Sequence, residues 1–547
     1  MRLYTPKKSH QETVLENINL TLRVVMEYMI SIYLLLILVV LPFYNTEGYA
    51  HMGTDKATFF DKVSAFAGKA MLLPVLVYIV IGLLLLIKNR KSTKITDWIK
   101  KEISLTDGFA FLYGVALFLA YFSSKYKDEA LWGTQGWYMG FLPQLTLVMI
   151  YFLVSRLWEP KKWIFYTVIP VSAAVFFMGV VNRFDFYPFG IESAGEAYIS
   201  TIGNINWYCG YAVTTVFIGT TLLWRERGLK VWQRALLMAY TMLGLVSLIL
   251  QGSDSGLVTL AVMVIVMFCA SVKDADRMLV FWQEMLLLCV GCLAVYLLQF
   301  HPSLNAVYFA NTTRVITQGK FPVIMTAVSA AMLLLVLCMR KTGKYRVKLF
   351  RGIAIAGVAG SIATVAAVIV MATMNTLHPG SLGSLSDNPL FTFNAYWGSN
   401  RLSTWKFGLR CFAEQNLWHK LVGVGPDCMW AFIESGATQE LLQEIETLFG
   451  NARLTNAHNE WITILVNTGI LGCVGFAGMV VCGIRDFVRA KGQSALLFAC
   501  GMALLAYTVN NVFSFQQSMN VSTMFVIFGM GEAFLREVRK KEETKLS

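Results

Sequence analysis

The sequence predicts an all-helical integral membrane protein with about fourteen spans and one large helical loop outside the membrane. Three observations carry that expectation. Of 547 residues, 56% are apolar and 14% charged, against about 45–50% and about 25% in soluble domains. The apolar residues fall in runs of the length needed to cross a bilayer as helix, about 20 residues. Most of the 46 lysines and arginines fall on alternate connections between those runs, as they do when cytoplasmic loops retain positive charge. The net charge of +13 is thereby explained without nucleic acid as a partner.

Taken in order, Met1 to Arg23 is polar and basic. Val24 to Phe43 is the first span and not a removed signal peptide, because no small-residue cleavage site follows it. Further runs lie at 68–87, 105–123, 137–156, 163–182, 205–223, 233–251, 255–272, 281–300, 321–339, 352–374, 459–483, 494–513 and 519–535. Residues 1–374 thus hold eleven spans, 375–456 form the large loop, 457–535 hold three more spans, and 536–547 are a basic tail. With both termini in the cytoplasm, the basic clusters at 88–101, 340–351 and 536–545 all fall inside. The large loop then faces outward.

That loop carries two amphipathic stretches. In 399–421, Leu402, Trp405, Leu409 and Phe412 recur at helical spacing. In 438–449, Leu441, Leu442, Ile445 and Leu448 share a side. The two stretches either lie along the membrane surface or pack on each other as a lid. Between them, GVGPD at 423–427 is a turn signal.

Cys269, Cys289, Cys338, Cys482 and Cys500 sit inside apolar runs and read as small core residues. Cys411 and Cys428 share the loop, where an outward location would permit a disulfide. No Walker loop, dinucleotide-binding glycine fingerprint or HExxH zinc motif occurs, and no residue spacing favours a metal site or a cofactor.

Chemistry-bearing residues concentrate on the outward side. His458 precedes the span that starts near Asn459. A helix start favours a bound anion and holds an imidazole neutral, as a general base requires. Asn456 is a candidate cap for this helix; the plainer reading of His458 makes it a cap as well. Arg401 and Arg453 flank the histidine from the two ends of the loop, and arginine grips phosphate oxygens in a planar fork. Arg183 and Arg314 border other outward ends, and Asp254 lies in the short turn QGSDSG. Asp427 and Glu460 are further outward carboxylates.

Four segments resemble the O-antigen ligase and polymerase family of bacterial membrane glycosyltransferases: STIGNINWYCGY (200–211), QGSDSGLVTL (251–260), SNRLSTWKFGLR…LVGVGPD (399–427) and AHNEWITILVNTGILGCVGF (457–476). The likeness covers roughly 200–535. It implies a glycosyltransferase fold of the C type in the bacterial cytoplasmic membrane. It also implies transfer of a glycan from a polyprenyl (undecaprenyl) diphosphate on the outward leaflet to an acceptor hydroxyl, with no nucleotide sugar. By position, Arg401 resembles the arginine that holds the diphosphate, with Arg453 a weaker match, and His458 the histidine that activates the acceptor. The family's turn often reads Ser-Arg-Gly; here Ser253-Asp254-Ser255 stands in its place. Arg183, Arg314 or Arg453 then supplies the missing cation, or Asp254 orients the acceptor, a role also open to Glu460 and Asp427.

This chemistry is consistent with an inverting transfer without metal: cations hold the leaving diphosphate and a base takes the hydroxyl proton. Polymerase and ligase remain equally open, with a glycan, lipid or protein as acceptor. The rival class is a polytopic transporter or flippase. Such proteins keep charged groups deep within their spans along a path.

Overall fold

The computed structural model describes residues 10–88, 103–192, 195–304, 306, 309–490 and 494–546. The basic cluster at 88–101 lies outside the described residues except for Lys88, as do residues 1–9 of the polar N-terminal stretch.

The described chain is helical apart from one two-residue hairpin, β1 (Tyr198–Ile199) with β2 (Gly203–Asn204). The first half comprises α1 (His10–Leu35, continued by a π turn Leu36–Val40), α2 (Met52–Lys88), α3 (Leu105–Ser123), α4 (Lys127–Trp132), α5 (Phe141–Leu157), α6 (Lys162–Tyr166), α7 (Val168–Asn182), α8 (Ile205–Arg225), α9 (Val231–Leu250), α10 (Asp254–Ser271) and α11 (Ala275–Leu298). Then come α12 (Asn311–Thr317), α13 (Phe321–Lys341), α14 (Val347–Leu377), α15 (Arg401–Glu414), α16 (Leu417–Val422), α17 (Met429–Ser435), α18 (Gln439–Phe449), α19 (Glu460–Arg489), α20 (Ala495–Asn510) and α21 (Ser518–Leu546).

Each apolar run of the sequence coincides with a helix. Eleven helices among the described residues are long and apolar enough to cross a membrane; α5 and α20 are apolar but shorter. The chain is a multi-pass membrane protein. Boundaries move in three places: α1 and α2 begin at His10 and Met52, well before the runs at 24 and 68, and the run at 137–156 becomes a helix only from Phe141, residues 137–140 joining the loop before it. Helix α8 falls outside the eleven because it carries several threonines, but it is buried from Tyr208 to Trp224. Thr214, Thr215 and Thr220 return their hydroxyls to carbonyls four residues back, at 2.8, 2.8 and 2.9 Å. A helix sheltered by protein does not need a purely apolar surface. The core sits around α8, α20 and the wholly buried span of α21, whereas the span of α14 is peripheral.

Ion pairs collect at one end of the bundle: Lys161–Glu27, Arg156–Asp107–Arg536, Arg227–Asp274 and Arg340–Asp276. The opposite end gathers the loops 44–51, 124–140, 183–204, 251–253, 378–459 and 511–517. There Tyr49 donates to the Ser200 carbonyl at 2.6 Å, and Trp137 Nε1 donates to Thr455 Oγ1 at 2.8 Å.

Within the large loop, α15 and α18 pack on each other, as one of the two sequence readings expects. Phe407 meets Phe449, Lys406 pairs with Glu444 at 3.3 Å, and Arg410 with the same carboxylate. Leu441 and Ile445 are fully buried, as their spacing predicts. On α15 the buried face differs from the predicted one. Leu409 is 50% exposed, while Phe407, Gly408 and Cys411 turn inward. The inner face follows the small Gly408, which lies against Ala457 and Ile462.

Cys411 and Cys428 are both free and buried in that cluster, so the permitted disulfide is not formed. Cys269 and Cys338 are exposed on their helices rather than in the core.

Candidate active site

His458 sits in the last turn of loop before α19, and its backbone is left-handed, φ +47°. Neither it nor Asn456 caps the helix. The cap is Asn459, whose side chain accepts from the Ile462 N–H at 3.1 Å. Asn456 instead accepts the His458 N–H at 2.9 Å, fixing the bend of the loop there. The ring stands edge-on to Phe515, with centroids 5.3 Å apart. Its nitrogens have no hydrogen-bond partner among the described residues. Burial, followed by repulsion from the Arg401 guanidinium, lowers its pKa to about 4, so the imidazole is neutral at physiological pH.

Arg401 opens α15. Its Nε donates to the Phe513 carbonyl at 3.0 Å and its Nη1 to Gly398 O at 3.1 Å. Burial lowers its pKa, and the Asp254 carboxylate opposes that shift. Asp254 is exposed at the start of α10 and accepts from Thr312 Oγ1 at 3.1 Å. Arg401, His458 and Asp254 therefore converge. Arg314 lies two residues from Thr312 on the same short helix, exposed and without a side-chain partner among the described residues. Arg453 is likewise exposed, in the loop leading to His458.

Arg183 is placed differently. It is 2% exposed, with Nε on the Leu250 carbonyl at 2.9 Å and Nη2 on the Gln251 carbonyl at 2.8 Å. It underpins the turn that presents Asp254, and its guanidinium is committed to that turn. Next to it, Ser253 Oγ donates to Asn206 Oδ1 at 2.9 Å, so the segments 200–211 and 251–260 meet.

Asp427 and Glu460 belong to the frame. Asp427 is buried; its Oδ2 accepts the N–H groups of Thr134, at 2.8 Å, and Met139, at 3.2 Å. Burial pushes its carboxyl up to about 7, against the pull of those two donors. Glu460 is 1% exposed and accepts from Tyr507 OH at 3.3 Å and from the Asn511 amide. Each ties the large loop or α19 to a second loop.

Sequence reasoning missed that second layer. The loop 511–517 carries Phe513 beneath Arg401 and Phe515 beside His458. Trp137 stacks edge-on against Phe515 at 4.8 Å and Trp207 at 6.0 Å, closing an aromatic wall. Gln516 Nε2 and Asn467 Oδ1, buried and without hydrogen-bond partners, belong to residues that line a cavity with Trp137, Asn456 and Phe515. Unpaired polar atoms in a buried site are costly unless a ligand uses them. The signal available in the sequence was the amide-rich break NNVFSFQQSMN, 510–520, between two apolar runs.

The chain is thus a polytopic helical bundle in which Arg401 and His458 approach each other at one end. A family model described as O-antigen ligase matches residues 315–477. The match contains Arg401, Asp427, Arg453, His458 and Glu460; Arg183, Asp254 and Arg314 lie outside it. No curated protein is significantly similar to the chain.

Proposed function

We propose that this chain transfers a saccharide from a polyprenyl diphosphate carrier to an acceptor hydroxyl, as an O-antigen ligase or polymerase, on the extracytoplasmic face of the bacterial cytoplasmic membrane. The observation that carries the reading is the convergence of Arg401 and His458 at one end of the bundle, inside the matched domain. The basic connections lie at the other end, which supports cytoplasmic termini and fourteen crossings.

In this reading Arg401 holds the diphosphate through its free guanidinium edge, and Arg453 and Arg314 approach the same charge from solvent. Arg183 acts by positioning the Asp254 turn. His458 accepts the acceptor proton as that oxygen attacks the anomeric carbon. The bond from that carbon to the phosphate oxygen breaks, and the lipid diphosphate leaves as an anion. A single displacement inverts the anomeric centre. Asp254 is placed to orient the acceptor hydroxyl, while Asp427 and Glu460 keep the loops in register. The steps use no metal and no nucleotide.

The buried charge pattern favours an enzyme over a transporter. Lys56, Asp107, Arg183 and Glu460 lie near helix ends; Glu27 and Glu532 are buried inside α1 and α21 but sit beside Lys161 and Arg536 at the ion-paired end, and Glu284 is buried inside α11. The test is purified protein in proteoliposomes with a lipid-diphosphate-linked oligosaccharide and an acceptor. Wild type forms product, and His458→Ala and Arg401→Ala do not. Full transfer by both variants sinks the proposal.

A further inference from the structure

A cavity of about 30 Å³ lies between the GVGPD turn, the first turns of α19 and the start of α5. Two carboxylates line it, Asp427 and Glu460, and both are buried. No lysine, arginine or histidine lines it. The hydrogen-bond partners of both acids are neutral: the Thr134 and Met139 N–H groups for Asp427, Tyr507 and Asn511 for Glu460. A third acid stands close, since Thr134 Oγ1 also lies 2.9 Å from Glu129 Oε1 and the Glu129 charge acts on Asp427. The Arg401 charge acts on Asp254 and His458 instead.

An independent feature points to a ligand in the same place. Asn467 lines the cavity, is 5% exposed, and its Oδ1 accepts no hydrogen bond. Its backbone carbonyl takes the Gly425 N–H at 3.0 Å, which holds this stretch of α19 against the turn that carries Asp427. Thr468, also in the lining, gives its hydroxyl proton to the Ile464 carbonyl at 2.9 Å and so offers only lone pairs. Gln516 Nε2 is the one unpartnered donor of the lining, suited to a water beside an ion. Buried carboxylates without a cation are costly. A water needs about 10–15 Å³, so the cavity has room for a small ion and a water.

We propose that this cavity binds one divalent hard cation, of the calcium or magnesium class, through Asp427, Glu460 and Asn467. Such ions take carboxylate, amide and hydroxyl oxygens and waters, and two carboxylates balance one double charge. Among the described residues no three histidine, cysteine, aspartate or glutamate side chains gather as metal ligands. The set is therefore two acids completed by neutral oxygens, which suits a hard ion and not a transition metal. The ion ties the large loop to α19 as a structural clamp. No step of transfer passes through it, and the site does not depend on that reading.

The test is thermal unfolding of the detergent-purified full chain, stripped with a chelator and titrated separately with calcium, magnesium and sodium chloride at matched ionic strength. Two variants serve as comparison. Asp427→Asn keeps an oxygen for the two N–H groups and suits the backbone there, φ +60°. Asn467→Leu removes only a neutral ligand. The expected result is a saturable rise in Tm with calcium or magnesium and none with sodium. Each variant should need at least about tenfold more divalent ion for the same rise; if one does not fold, the other decides. No divalent response in wild type, an equal response to sodium, or an unchanged half-point in a folded variant overturns the proposal.

Discussion

Arg401 and His458 rest on one short loop: the Arg401 Nε bonds the Phe513 carbonyl at 3.0 Å, and the His458 ring stands against Phe515 two residues on. Their proposed roles differ, so their variants should separate. His458→Ala removes only proton transfer, and kcat should fall about 10²–10⁴-fold with donor KM little changed. Arg401→Lys keeps a charge but loses the planar fork, so donor KM should rise as well as kcat fall. Steady-state kinetics with varied donor checks both; an unchanged KM for Arg401→Lys contradicts diphosphate binding there.

The pH profile follows from the lowered His458 pKa. With a value of about 4 in the free protein, the imidazole stays deprotonated throughout the neutral range. The acid limb of kcat/KM should therefore lie near 4, not near the ordinary 6.5. Arg401→Gln removes the repelling cation, so the limb should move to higher pH. The sign for stability is consistent: the unfolded histidine protonates first, so stability is lost as pH falls from about 6.5 toward 4.

Arg183, Arg314 and Arg453 should behave as two groups. Arg183→Ala strands the carbonyls of Leu250 and Gln251 in a buried place, at about 1–3 kcal/mol for each unpaired group. A clear fall in Tm is expected along with lost activity. Arg314 and Arg453 are exposed. Their alanine variants should leave stability within about 0.5 kcal/mol and show their effect as a raised donor KM. Equal Tm for all three variants contradicts this division.

The helices were legible because apolar runs of bilayer length admit few other structures. Arg401 and His458 were legible because ionisable groups at the mouth of a span stand out against that background. The frame was not. Trp137 read as the first residue of a span, and its bond to Thr455 joins residues far apart in sequence. Asp427 offered only an outward carboxylate; that it holds Thr134 and Met139 follows from loop packing, to which hydrophobic periodicity is blind. Leu409 was misread for a related reason, because α15 presents its glycine to α19 rather than its largest apolar side chains.

Helix α19 is broken at Gly469, where φ is +67° and ψ −169°, a region open essentially to glycine. The break frees the carbonyls of Val466 and Asn467 from their helical partners. They accept instead from Val424 N–H at 3.2 Å and Gly425 N–H at 3.0 Å, and Val466 also from Gln415 Nε2 at 3.0 Å. The GVG turn of the large loop is thereby stitched to the span that His458 precedes. Any Cβ at 469 would strike the Leu421 carbonyl, and any at Gly423 the Asn467 carbonyl. Gly469→Ala should therefore cost about 1–3 kcal/mol in backbone strain alone, and more as those bonds are lost. Activity should fall with Tm, because the half-helix below His458 loses its anchor. Gly82→Ala, in a helix with open space around it, should be neutral or slightly stabilising. If Gly469→Ala matches that control in Tm and transfer rate, the break does not position the site.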